Sequence, residues 1–154
     1  MAFVLTSPAF GAGSTIPSTY TADGLDVSPP LEWSGAPPGT VTFALICDDP
    51  DAPGGTWTHW VIYGIPASTT SLPEGIAGSV HLDDGSVQGL NSWGETGWRG
   101  PSPPSGTHRY VFRLHALDTA LQPDSSTTAR DLREAMHGHI LGSASVTGLY
   151  SRNR

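Results

Sequence analysis

The chain is 154 residues long, 37% hydrophobic and 14% charged, with a formal net charge of −7. That length suits one domain able to bury its own core, and the charge content is too low for a charge-driven disordered chain. All 7 basic residues are arginines and none form a basic run, which argues against a nucleic-acid binder or a protein held to an anionic membrane surface.

A local anion site needs only backbone amides and a histidine or two, so it survives that test. The single cysteine, Cys47, has no partner for an internal disulfide. The opening MAFVLTSPAF lacks the basic start and apolar stretch of a signal peptide, and no run nears the roughly 18 apolar residues of a membrane span. These features lead to the expectation of a cytoplasmic protein with no stable membrane insertion. With 19 glycines and 14 prolines, the chain is expected to form many turns and ordered loops within a single domain over 1–154.

Residues 1–40 are dense in turn signals and show no helical period. In Val41–Asp48, Val41, Phe43, Leu45 and Cys47 alternate with Thr42, Ala44, Ile46 and Asp48; both faces are largely apolar, as in a central strand covered on both sides. Trp57–Ile65 reads as the next strand, and a strict period of two places His59, Val61 and Tyr63 on one face and Trp60 and Ile62 on the other. Residues 66–107 form a long Gly/Pro/Ser-rich stretch, which in a compact domain is functional or hides short strands. His108–Leu117 is a third strand with His108, Tyr110, Phe112, Leu114 and Ala116 on one face. One helix is expected after Thr128, which forms an approximate capping box with Asp131. Its apolar stripe is Leu132, Ala135, Met136, His139 and Ile140, with Gly142 as its stop and a last short strand over 144–150.

Two segments carry candidate chemistry. Asp48-Asp49-Pro50-Asp51-Ala52-Pro53 ends a buried strand, and Trp57-Thr58-His59-Trp60 begins the next. If these strands are neighbours, His59 comes within hydrogen-bond reach of Asp49 or Asp51, a partner that favours the imidazolium. Otherwise the aspartates merely cap a turn and His59 is a core histidine. The second segment runs from Gly97 through Gly100-Pro101-Ser102-Pro103-Pro104 to His108-Arg109-Tyr110. Its Gly/Pro density makes a stiff loop that can meet a ligand at little entropic cost. His108 and Tyr110, two apart on a strand, offer a titratable ring and a phenol to the same space.

DDPDAP at 48–53, His59-Trp60, and GPSPPSGTHRYVF at 100–112 together resemble the phosphatidylethanolamine-binding protein family, in its bacterial, Raf-kinase-inhibitor-like branch. Residues 7–34 and 131–152 are similar to that branch's opening and ending, so the resemblance covers nearly the whole chain. It implies a mostly-β fold: a large antiparallel sheet packed against a smaller one, with a peripheral helix near the C-terminus. It also implies a ligand pocket made by Asp49, Asp51, His59, Gly100, Pro101, Ser102, Pro103, Pro104, His108 and Tyr110, with Trp57 and Trp93 at its rim. The implied ligand is a phosphate-like anion or a phosphoethanolamine-type headgroup, and the implied role is regulatory, as an inhibitor of a kinase or protease, with a homodimer as the assembly. The branch commonly has cysteine where this chain has Ser102, so no thiol acts at that position.

The leading expectation is therefore a non-enzymatic binding protein with no cofactor. The competing reading is a hydrolase with Ser102 as nucleophile, His59 or His108 as base, and Asp49 or Asp51 as orienter. Against it, no Gly-x-Ser-x-Gly elbow is present and Ser102 lies between prolines. A metal site from His59, His108, Asp49 and Asp51 uses acceptable ligand types but lacks a short-range His pair, so no metal is expected. The tryptophans Trp33, Trp57, Trp60, Trp93 and Trp98 suggest a carbohydrate module only weakly, since such residues more often pack loops and core.

Overall fold

A computed structural model describes residues 2–122, 124 and 126–152 of the chain. In chain order its elements are β1 (Val4–Thr6), a single 3-10 turn (Ser18–Tyr20), β2 (Leu31–Ser34), β3 (Thr42–Asp49), β4 (Trp57–Pro66), β5 (Ser71–Leu72), β6 (Val87–Gln88), β7 (Thr107–Leu117), α1 (Ala129–Met136) and β8 (Ile140–Ser151). They form a five-stranded sheet, β6-β4-β3-β7-β8, and a three-stranded sheet, β1-β2-β5, and the pairings between named strands are antiparallel. This is the expected mostly-β architecture, with its helix near the C-terminus.

β3 lies at the centre of the large sheet because both of its faces are apolar. Phe43, Leu45 and Cys47 face the small sheet and join Leu5, Leu31, Trp33 and Leu72 in the main core. Trp33 meets Phe43 edge-on at 5.4 Å between ring centroids, which locks the two sheets face to face. Ala44 and Ile46 face the other way and pack with Val61, Tyr63, Leu132 and Met136 beneath α1. Fully burying each such side chain contributes roughly 1.5–3 kcal/mol. The alternation expected for β7 also holds, with Tyr110, Phe112, Leu114 and Ala116 in the main core and Leu117 on the helix side.

The alternation expected for β4 breaks at two bulges; one lies at Gly64, between the Phe43–Ile65 and Leu45–Ile62 pairs, and the other shapes the site. Cys47 pairs with Trp60, but Asp48 pairs with Thr58, so His59 is an extra residue between them. This β-bulge turns His59 to the same side as Trp60, against the rings of Tyr110 and Trp98, while Val61 and Tyr63 stay on the helix side. Without the bulge, the period of two would bury His59 under α1, away from Tyr110.

The helix is shorter than its stripe suggested. Thr128 Oγ1 accepts from the Asp131 amide and Asp131 Oδ2 accepts from the Thr128 amide, both at 3.2 Å, so the capping box forms with aspartate. Leu132 and Met136 are buried, but Ala135 is exposed, and the helix ends before Gly138, whose φ of 81° no helix can continue. His139 and Ile140 therefore lie outside it. Ile140 already begins β8, and Gly142 is a strand residue opposite Ala116 rather than a helix stop. A Cβ at Gly142 would come within 2.8 Å of Pro37 Cγ, so the glycine serves a close approach.

The 66–107 stretch contains β5 and β6 and is ordered by buried amides. Gln88 accepts from Trp60 Nε1 at 2.8 Å and donates to the carbonyls of Ala77 and Ser79. Asn91 accepts from the amides of Trp93 and Glu95 and donates to the Gly97 carbonyl. Together they hold Trp93 and the loop that follows it against the start of β4.

Candidate ligand-binding site

A cavity of about 380 Å³ opens at the end of the large sheet where β3 finishes and β7 begins. Asp49, His59, Ser102, Pro103, Pro104, His108 and Tyr110 line it, with Trp57 and Trp93 among its walls. Ala52, Pro53 and Gly54, from the turn between β3 and β4, complete it. Of the residues expected at a pocket, Asp51, Gly100 and Pro101 are not in this lining.

The polar floor is built from neighbouring strand ends. Asp49 is the last residue of β3 and His108 lies near the start of β7; they are 4% and 6% exposed. His108 Nδ1 donates to Asp49 Oδ2 at 2.6 Å, and the other Asp49 oxygen accepts the Asp51 amide at 2.8 Å. The second contact is an Asx turn that starts the loop, so Asp49 both caps the turn and orients a histidine. With Nδ1 engaged, Nε2 is the His108 nitrogen left for a ligand.

His59 is held differently from the expectation. Its Nδ1 donates to the Arg99 carbonyl at 2.6 Å, not to an aspartate. A carbonyl only accepts, so Nδ1 carries the proton and Nε2 is an acceptor whenever the ring is neutral. Burial pulls the His59 pKa below its ordinary 6.5, while the Arg99 carbonyl and the Asp49 charge act in the other direction. Trp93 and Tyr110 meet the imidazole edge-on at 5.0 and 5.1 Å and fix its plane.

Asp51 turns outward to Arg109. Arg109 Nη2 donates to Oδ1 at 2.8 Å, and its Nε and backbone amide donate to Oδ2 at 3.0 and 2.9 Å. This fork pulls the Asp51 pKa down to about 2, with the side-chain hydrogen bond to Arg109 as the main cause. Asp51 thus pins the loop to the start of β7.

The 100–104 loop acts through shape. Pro101, Pro103 and Pro104 have no amide hydrogen. The Gly100 amide is taken by Asp26 Oδ1 at 2.7 Å, and the Pro101 carbonyl accepts from Ala22 at 3.0 Å. Ser102 therefore keeps the only amide of Gly100–Pro104 that is not committed to the 20–26 segment, and it faces the Tyr110 hydroxyl. Tyr110 Oη is buried and, among the described residues, has no hydrogen bond of good geometry. Burial, with the nearby Asp49 charge, drives the Tyr110 pKa far up, so the group remains a hydroxyl donor.

Sequence reasoning missed Asp26 and the Arg99 carbonyl. Asp26 adopts a left-handed φ of 57°, rare for a non-glycine residue, while its side chain holds the loop. Neither group had a local signal, because one is a backbone atom and the other lies 74 residues from its partner. No group of His, Cys, Asp and Glu among the described residues has a metal-holding arrangement. No helix among them is long and apolar enough to cross a membrane.

This sheet pair and end-of-sheet cavity define a phosphatidylethanolamine-binding fold. The chain belongs to the phosphatidylethanolamine-binding protein family, whose profile matches residues 6–151. A UPF0098 protein of Methanothermobacter thermautotrophicus is 53% identical over 96% of this chain and 98% of its own length. A crystal structure of a phosphatidylethanolamine-binding protein homolog from Chlamydia trachomatis superposes with a TM-score of 0.91 at 39% identity, covering 99% of both chains. The structure of Escherichia coli YbcL, described as a member of the mammalian PEBP family, superposes with the same score at 33% identity, over 99% of this chain and 100% of its own.

Proposed function

We propose that the chain is a non-enzymatic binding protein whose cavity takes a phosphate-type headgroup, with a zwitterionic phosphoethanolamine-like group favoured over a bare dianion. The observation that carries this reading is the buried Tyr110 hydroxyl, whose own proton meets no acceptor among the described residues, beside the buried Asp49–His108 pair. A buried hydroxyl without a partner costs about 1–3 kcal/mol, and a ligand oxygen would relieve that cost. Tyr110, Ser102 and the imidazolium form of His108 donate to the phosphate oxygens. Asp49 accepts, which suits an ammonium, and His59 Nε2 accepts while the ring is neutral and donates once a bound anion draws a proton onto it. The occupied cavity then serves as a signal to a kinase or protease partner, in a cytoplasmic dimer.

Calorimetry with phosphoethanolamine, inorganic phosphate and ethanolamine tests the reading. The expected order is phosphoethanolamine tightest, phosphate weaker and ethanolamine weakest. Equal affinity for all three, or none for any, would remove it. A second reading has a specific observation behind it, since Asp49–His108 has the orienter–base form of a hydrolase and exposed Ser102 lines the same cavity. Ester and phosphoester panels on wild type and Ser102→Ala separate the two. Turnover that disappears in the variant would establish the hydrolase.

A further inference from the structure

The helix-side face of the large sheet holds a second cluster that the cavity does not use. Arg113 and His115 lie two residues apart on β7, on the same face, opposite Ser145 and Ser143 of β8. Arg133 reaches over this face from α1. The three border a cleft of about 160 Å³ with buried Ile46 and Met136 as its apolar floor and exposed Ile140 at its edge.

In this acidic chain the other described arginines each have a carboxylate. Arg99 pairs with Glu95, Arg109 with Asp51, Arg130 with Glu134, Arg133 with Asp48 and Arg152 with Asp23. Among the described residues, Arg113 has none. It shares its cleft with a second guanidinium, and Asp48 is already engaged by that one. His115 is 9% exposed, with its Nδ1 on Ser143 Oγ at 2.6 Å, which leaves Nε2 for another partner.

We propose that this cleft is a second anion site, taking a small tetrahedral oxyanion of phosphate or sulfate size between Arg113, Arg133 and His115. Two guanidiniums supply planar, fork-shaped donors for oxyanion oxygens, and a His115 imidazolium adds a third donor from the floor. The electrostatics agree. Burial first, and then the charges of Arg113 and Arg133, push the His115 pKa down to about 4, so both cations are felt at the ring. An anion seated among them reverses that field. The site lies on the opposite face of the sheet from the cavity and does not depend on its function.

The test follows the His115 ring protons by NMR during titration with sodium sulfate, against sodium chloride at matched ionic strength. Sulfate is expected to shift them saturably and to raise the pH midpoint of His115, whereas chloride produces only a small, unsaturated drift. Arg113→Gln changes an exposed side chain and should keep the fold; it is expected to weaken sulfate binding about tenfold, the loss of one charge-assisted contact. A sulfate effect that matches chloride, or one that survives Arg113→Gln at full affinity, overturns the proposal.

Discussion

His108 Nδ1 donates to Asp49 Oδ2 across 2.6 Å, joining the start of one long strand to the end of its neighbour. Both groups are almost completely buried, although they form the floor of a cavity. Removing one member of such a pair costs more than removing both, because the survivor is left desolvated. Asp49→Ala is therefore expected to lower unfolding free energy by about 3–5 kcal/mol. The double variant Asp49→Ala/His108→Ala should lose less than the sum of the two single changes. Urea denaturation of the four proteins checks this, and strict additivity would mean that the contact carries no coupling.

Tyr110→Phe separates stability from binding. The change deletes a buried hydroxyl that has no partner of good geometry among the described residues. Stability is expected to stay level or rise by about 1 kcal/mol. Headgroup affinity is expected to fall about tenfold, because the hydroxyl donates only to ligand. A parallel loss of both quantities would place the hydroxyl in an internal hydrogen bond instead.

Anion affinity at the cavity should depend on pH with a definite sign. Burial holds the His59 pKa below 6.5, so the free protein carries little His59 imidazolium at neutral pH. An anion favours the cation, so binding takes up a proton. Affinity is then highest in acid and falls as pH rises through the His59 pKa of the complex. Sulfate is a suitable probe because its own charge is constant in this range, and an Arg113→Gln background weakens the second cleft. Calorimetry between about pH 5 and 8, in buffers of differing ionisation enthalpy, reads the proton uptake directly. A flat profile would show that His59 gains no charge on binding.

His115 should make the fold acid-sensitive. Its pKa in the folded chain is about 4, against 6.5 when free. The unfolded chain therefore takes up a proton first, and stability is lost as pH falls from 6.5 toward about 4, where the loss levels off. The span corresponds to something on the order of 3 kcal/mol. His115→Gln keeps a partner for Ser143 and cannot titrate. Its stability should be flatter than wild type over that window, as measured by denaturation at several pH values.

Gly100 tests whether the loop is shaped by its attachment to the 20–26 segment. A Cβ there would come within 2.4 Å of both Asp26 Oδ1 and the Tyr20 carbonyl oxygen. Gly100→Ala is expected to cost about 1–3 kcal/mol and to weaken ligand binding by displacing Ser102 and Pro103. Gly54 lines the same cavity, and a Cβ at that position meets nothing within 4 Å. Gly54→Ala should leave stability nearly unchanged, and thermal unfolding of the two variants makes the comparison.

Much of the fold was legible in the chain because its signals are local. The doubly apolar run of β3 marks a central strand, the alternation of β7 marks its core face, and Thr128 with Asp131 marks the start of α1. The two segments that carry chemistry were also visible, as clusters of residue types with stiff Pro and Gly flanks. The end of α1 is not legible in the chain, because the helical stripe runs on through His139 and Ile140 past Gly138, which breaks the helix.

What only the tertiary structure decided was partnership. The sequence brings Asp49, Asp51, His59 and His108 into view as two acids and two bases, but hydrogen bonds form between groups far apart in the chain. Asp49 goes to His108, Asp51 to Arg109 and His59 to a backbone carbonyl, and a one-residue bulge chooses the face on which His59 emerges. A bulge is a property of two strands in register, and a backbone carbonyl has no letter in the sequence. Residue types and local periods therefore locate the site, whereas the division of donors and acceptors within it is set by the packing of strand ends and loops.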